Sequence, residues 1–163
     1  MKNSLIWILG ATFLIIINCT TRADIEAAKI QVKTVLDEYI QVLETEDMEL
    51  LSSIMAHDPD MISFGTDVNE RIIGWEGMKD LMQKQFAITD NSKLTVKNEV
   101  IKVHDSGKVA WFSEVIDWDM DYHLKPIRIE GIRLTGVLEK QNNNWLIVQL
   151  HFSIPVENPA FQG

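Results

Sequence analysis

The sequence predicts an α+β domain in which three helices cover one face of a curved, mainly antiparallel sheet. Two observations carry this. Up to about Phe86 the apolar residues recur chiefly at three- and four-residue steps, the period of a helix with one buried stripe. After Asn91-Ser92 the period falls to two and stays there to Ile154, as in strands with one face in the core. Helices first and hairpins afterwards is the order of an α+β layer. A chain of 163 residues fits one such domain and buries a core of useful size.

The elements follow in order. Ile25, Ala28, Val32, Val35, Leu36, Tyr39, Ile40 and Leu43 form one stripe on a helix that Asp24 is placed to cap. Glu44 to Asp47 interrupt it, and Asp47 caps a shorter helix carrying Leu50, Leu51, Ile54 and Met55, ended by His57-Asp58-Pro59. Met61 to Gly65 and Arg71 to Ile73 read as short strands around a polar turn. A third helix after Gly74 turns Trp75, Met78, Leu81, Met82 and Phe86 inward. Four long strands then run from Leu94 to His104, Val109 to Tyr122, Ile127 to Lys140 and Trp145 to Ile154. Asp105-Ser106-Gly107, the stretch around Lys125-Pro126, and Asn142-Asn143-Asn144 join them into a meander.

The N-terminus has its own logic. Lys2 precedes an uncharged apolar run from Leu5 to Ile17, short for a membrane span and placed like an export signal. The single cysteine, Cys19, ends that run, and Ile16-Ile17-Asn18-Cys19 resembles a bacterial lipobox, though with Asn18 where a smaller residue is usual. Cleavage after Thr21-Arg22-Ala23 is the alternative. The expected organisation is a signal over 1–18 with Cys19 as the lipid-bearing mature N-terminus, a linker over 19–24, the domain over 25–155 and a tail over 156–163. An exported chain in a bacterial cell envelope, or free in the periplasm or medium, would follow. With one cysteine no intrachain disulfide forms, so packing supplies the stability.

Charge excludes one class of partner. Fifteen Lys and Arg stand against 24 Asp and Glu, a net charge of −9, and no basic cluster relieves it. Such a surface repels phosphate backbones, so no nucleic acid partner is expected. Asp117-Trp118-Asp119-Met120-Asp121 starts like a calcium loop, yet Tyr122 stands where Gly is needed and Arg128 where Glu is needed. His57, His104, His123 and His151 have no metal-ligand spacing, and no phosphate cradle or nucleophile elbow is present. Neither metal nor cofactor is expected.

Asp47, Asp58-Pro59-Asp60, Ser63-Phe64-Gly65, Gly74, Ala110-Trp111, Arg133-Leu134-Thr135 and, most specifically, Trp145 to Ser153 carry a resemblance over about Ile25 to Pro155. The chain resembles the cone-shaped nuclear transport factor 2-like fold, and within it the SnoaL-like group, to which the association domain of calcium/calmodulin-dependent protein kinases is similar. That resemblance implies a sheet with one face lining a pocket and the other meeting a second subunit. It implies no single activity, because polyketide cyclases, dehydratases, isomerases and assembly modules share the shape.

Alternation sorts residues between the two faces. Leu146, Val148, Leu150 and Phe152 share a side of the last strand, as do Ile132, Leu134 and Leu138 of its neighbour, with Gly136 leaving a gap. These are assigned to the pocket wall, together with Tyr39, Phe64, Trp75, Phe112, Ile116 and Trp118. Arg133, Thr135, Gln149 and Ser153 are assigned to a homodimer face, an arrangement that a single bulge would exchange. Glu114, between Phe112 and Ile116 on one face, would have its pKa raised by burial and is a candidate acid or base; His151 is the other. Three functions remain open: a binding module for a small apolar or aromatic ligand, a cofactor-independent isomerase, dehydratase or cyclase using Glu114 or His151, and a structural dimerisation module.

Overall fold

The computed structural model describes residues 21–155, so the signal segment, Cys19 and the tail after Pro155 lie outside the described residues. Helix α1 spans Arg22–Thr45, α2 Met48–Ile54 and α3 Gly74–Phe86. The strands are β1 Ile62–Phe64, β2 Arg71–Ile73, β3 Thr89–Val103, β4 Val109–Tyr122, β5 Lys125–Gln141 and β6 Asn144–Ser153. They form one sheet in the order β2-β1-β6-β5-β4-β3, antiparallel except where β1 runs parallel to β6.

Helix α1 starts slightly earlier than its stripe suggests, because Thr21 and not Asp24 caps it. Thr21 Oγ1 accepts the Asp24 N–H at 3.2 Å while the Asp24 carboxylate accepts the Thr21 N–H at 2.8 Å, a reciprocal capping box. Asp47 does cap α2, accepting the N–H groups of Glu49 and Leu50 at 2.9 Å each. Val32, Leu36, Tyr39, Val42 and Leu43 of α1 are buried against the sheet. Each end of the helix is also tied by a hydrogen bond. The Trp145 indole donates to Gln31 at 3.1 Å, and the Leu94 N–H donates to the Glu44 carboxylate at 2.8 Å.

The long strands are interrupted by bulges, and these correct the face assignments. Between β5 and β6 Val137 pairs with Gln149 but Leu138 pairs with Ile147, which leaves Val148 extra. Parity changes there: Trp145 and Ile147 are buried beside the inner Leu150, whereas Leu146 and Val148 are only half-buried. Between β4 and β5 Ile116 pairs with Ile132 but Trp118 pairs with Ile129, so Glu130 and Gly131 together oppose Asp117. Gly131 takes a φ of +71° there, which suits a residue without Cβ. A third bulge, between Lys97 and Val100 of β3, places Asn98 at φ +51°.

Asp117 fixes the second bulge. It is buried on the outer face, accepts the Gly131 N–H at 3.1 Å, and is ion-paired by Lys97 and, at 3.2 Å, by Arg128. The Lys97 hydrogen bond, then that of Gly131, holds its carboxyl below the usual range. Asp117-Trp118-Asp119 is thus mid-strand.

Two connections are tighter than expected. The β4–β5 turn is His123-Leu124, at φ +49° and +63°, and Lys125 and Pro126 already belong to β5. The β5–β6 turn is Asn142-Asn143, at φ +48° and +70°. Two successive positive φ values mark the turns that match the twist of a hairpin. Gly136 leaves no gap: an added Cβ would lie 2.6 Å from the Phe112 ring and 2.5 Å from the Gln149 carbonyl.

Candidate functional site

A cavity of about 490 Å³, partly open to solvent, lies between the inner face of the sheet and helices α1 and α3. It occupies one end of the sheet, where β3 begins, β4 ends and β5 begins. Its walls are mainly apolar: Met78, Leu81 and Met82 from α3, Trp118 and Met120 from β4, Ile127, Ile129 and Ile132 from β5, and Phe152 from β6. Tyr39 and Leu43 of α1 close it above. Polar groups collect at its edges, with Ser63, Thr66, Asp67 and Glu70 on one side and Lys84, Gln85 and Thr89 on the other. A mostly apolar hollow of this size with a few polar groups is the usual form of a small-molecule site.

Of the residues assigned to a pocket wall from the sequence, Tyr39, Trp118, Ile132 and Phe152 line this cavity. The others lie elsewhere, each for a visible reason. Phe112, Ile116, Leu134 and Leu150 are on the inner face but are packed solid in the core, the Phe112 ring filling the space above Gly136. Phe64 is turned outward. Its neighbour Ser63 pairs with the inner Leu150, so alternation sends Phe64 to the outer face, edge-on to His151 at 5.8 Å between centroids. Trp75 stacks on His57 at 4.4 Å, and His57 Nε2 lies 2.9 Å from the Ser52 carbonyl oxygen.

His151 itself is exposed on the outer face, away from the cavity, so the geometry gives it no route to a ligand held there. Around it the outer face shows Thr135 paired with His151, Arg133 with Ser153, and Val137 with Gln149. The residues assigned to a dimer face therefore share one side of the sheet.

Glu114 is on the inner face and only 3 % exposed. It lies opposite Leu134, and Leu134 lies opposite Phe152, so the three form one rung of the sheet. Tyr39 packs over this rung with its ring 6.3 Å from that of Phe152. Glu114 does not itself line the cavity, and its Oε2 has no hydrogen-bond partner among the described residues. Burial, reinforced by the charge of nearby Glu99 and partly offset by Lys33, pushes its carboxyl up to about 7. The β3 bulge brings Glu99 there, and Lys33 of α1 pairs with Glu99 at 3.5 Å and Asp37 at 2.7 Å.

Two donors at the cavity lack acceptors. The Trp118 indole N–H is fully buried without a partner; the Tyr39 hydroxyl also has none among the described residues, but its oxygen is not fully buried, on a side chain 2 % exposed that lines the cavity. Burial, aided by Glu114, raises the Tyr39 pKa, so its phenol keeps its proton and remains a donor. An unpaired buried donor such as the Trp118 N–H costs stability, on the order of 1–3 kcal/mol, and calls for an explanation beyond folding.

Sequence reasoning missed Ile127, Ile129 and the Asp67 to Glu70 turn. The lone Gly131 inside a strand pattern was the available sign of a bulge that would bring both isoleucines inward.

The SnoaL-like domain model matches residues 32–157, and the chain belongs to that family. Its fold is shared by solved structures of low sequence identity. A nuclear transport factor 2-like superfamily protein from Salmonella enterica is 16 % identical with a TM-score of 0.75, over 85 % of this chain and 98 % of the other. A protein from Xanthomonas campestris, provisionally named a calcium/calmodulin dependent protein kinase II association domain, is 20 % identical with a TM-score of 0.66, over 78 % and 87 %. A type 2 hexachlorocyclohexane dehydrochlorinase is 14 % identical with a TM-score of 0.72, over 83 % and 90 %. At these identities the likeness shows the nuclear transport factor 2-like fold alone. Comparison with curated proteins returns no match.

The environment of Glu114 has a measurable consequence for stability. Its folded pKa, about 7, lies above the ordinary 4.5, so between these values the native state holds a proton that the unfolded chain has released. Stability from this group is complete below pH 4.5 and is lost as pH rises toward 7, a loss of about 3 kcal/mol. Chemical denaturation of the Glu114→Gln variant is expected to lack this decline, so that its stability relative to the parent grows from pH 4.5 to 7. A constant difference across that range would show that Glu114 is ionised in the native state.

Proposed function

We propose that this SnoaL-like domain binds a small apolar or aromatic molecule in the cavity between α1, α3 and the sheet. The observation that supports this most directly is the apolar hollow itself, bordered by Tyr39, whose hydroxyl has no partner among the described residues, and by Trp118. Three methionines, Met78, Met82 and Met120, add flexible, polarisable walls suited to aromatic surfaces. N-phenyl-1-naphthylamine, a neutral apolar fluorophore, is expected to bind with enhanced emission. Met82→Trp, which fills the cavity, should weaken it at least tenfold while circular dichroism stays native. Absence of binding, or binding indifferent to Met82→Trp, would refute the reading.

An enzymatic reading rests on Glu114, a buried carboxyl tuned near neutrality, which is the property of a general acid or base. It is the weaker of the two, because the cavity stops at Tyr39 and does not reach Glu114. The same titration of Glu114→Gln separates the roles, since the binding module retains its affinity without that carboxyl.

The outer face supports a homodimer in which Arg133, Thr135, Gln149 and Ser153 meet their counterparts, flanked by the half-exposed Trp111. Light scattering is expected to give twice the chain mass, and Thr135→Arg with Gln149→Arg to give the monomer; a monomeric parent protein would dismiss it. Export and lipid anchoring rest on the sequence around Cys19. Mass spectrometry of the chain expressed in a bacterium should find a diacylated Cys19 N-terminus, whereas an unmodified N-terminus at Asp24 would establish the alternative cleavage.

A further inference from the structure

The mouth of the cavity carries a charge preference that its apolar walls do not. Tyr39 and Trp118 line it from α1 and β4, and two carboxylates, Asp67 and Glu70, line it from the turn between β1 and β2. These side chains are held in place. Glu70 Oε2 accepts the Asp67 N–H at 3.0 Å, and Asp67 Oδ1 accepts the Asn69 N–H at 2.9 Å and its amide at 3.3 Å.

Gly65 makes this possible. A Cβ at position 65 would come within 2.0 Å of Glu70 Oε2, so the carboxylate occupies space that only a glycine leaves free. The remaining oxygens, Asp67 Oδ2 and Glu70 Oε1, accept no hydrogen bond from the described residues. Nor does a neighbouring cation neutralise them. Among the lining residues Lys84 is the one with a positive charge, and it is already paired with Asp80 at 2.6 Å.

Tyr39 supplies the independent half of the argument. Tyr39 is 2 % exposed and lines the cavity with a hydroxyl that has no acceptor among the described residues. A donor on a cavity wall without a protein acceptor is matched when a ligand brings one. The cavity therefore combines a free donor on its wall, apolar surfaces of Met, Ile, Trp and Phe, and exposed or half-buried carboxylates held in its lining turn.

We infer that the preferred ligand is an amphiphile with an apolar, aromatic-sized body and a protonated amine or comparable cation, seated with its positive end between Asp67 and Glu70. An acceptor at the far end of such a molecule meets the Tyr39 hydroxyl. Anions of the same shape are disfavoured, because their charge would sit near two carboxylates of the cavity lining. This deepens the small-molecule reading of the same cavity and rests on it.

The test uses three probes of one shape: 1-naphthylmethylamine, a cation at neutral pH, 1-naphthalenemethanol, which is neutral, and 1-naphthoate, an anion. Each is titrated calorimetrically into the purified domain at low and at high salt. The expected order is cation, neutral, anion, with about a tenfold gap between the first and last at low salt that shrinks several-fold at high salt. In Asp67→Asn with Glu70→Gln, each replacement keeps an acceptor for its turn N–H, and the cation should lose its advantage over the neutral probe while the neutral affinity is unchanged. Asp105→Asn with Glu139→Gln removes the same charge at exposed positions away from the mouth and should leave the order intact.

Neutral binding without a cation advantage overturns the inference and leaves the binding reading standing. An advantage lost equally in the remote variant also overturns it, since diffuse charge would then be responsible. Failure of all three probes removes both readings together.

Discussion

The register of β5 against β4 is the constraint on which the rest of the architecture depends. In an uninterrupted β5, placing Ile132, Leu134 and Leu138 inward would send Ile127 and Ile129 to the outer face. The Glu130-Gly131 bulge reverses that parity, and all five isoleucines and leucines turn toward the helices. The bulge is secured from the other side of the sheet by Asp117, whose carboxylate takes the Gly131 N–H and is itself neutralised by Lys97 and Arg128. An outer-face carboxylate thereby decides what lines the cavity on the inner face.

The inner face divides into a filled end and a hollow end. Around Phe112, Ile116, Leu138 and Ile147, α1 and α2 meet the sheet in one buried apolar cluster, and the glycine at 136 admits the Phe112 ring in place of a side chain of its own. Toward Trp118, Met120 and Ile127 the cover is α3, whose longer, flexible methionines leave space. Between the two regions stands Tyr39, touching both. Glu114 lies on the filled side of this divide, which is why a carboxyl of favourable pKa has no access to the hollow.

Polar groups left unsatisfied concentrate near that divide. Glu114 Oε2, the Trp118 indole N–H and Ser92 Oγ are buried without partners among the described residues, and the less buried Tyr39 hydroxyl also has none. Local violations of folding rules tend to gather where a protein does something other than fold. The family includes proteins of unrelated activities, so it is these few groups, and not the shape, that have to carry any functional statement.

By itself the sequence determined the class of the domain, the order of its elements, the helix cap at Asp47 and the presence of Glu114 among buried neighbours. These are properties of short windows: periodicity, turn residues and capping chemistry are fixed by residues a few positions apart. Only the tertiary structure decided which residues enclose the hollow. Phe64 and Trp75 looked equivalent to Tyr39 and Phe152 as aromatic residues near a pocket, yet Phe64 faces out because Ser63 pairs with Leu150, and Trp75 is held by His57. A bulge is a single extra residue whose position depends on what the neighbouring strand offers, as Asp117 does for Gly131. That information lies in pairs of residues far apart in the chain, and one such pair moves every later side chain to the opposite face.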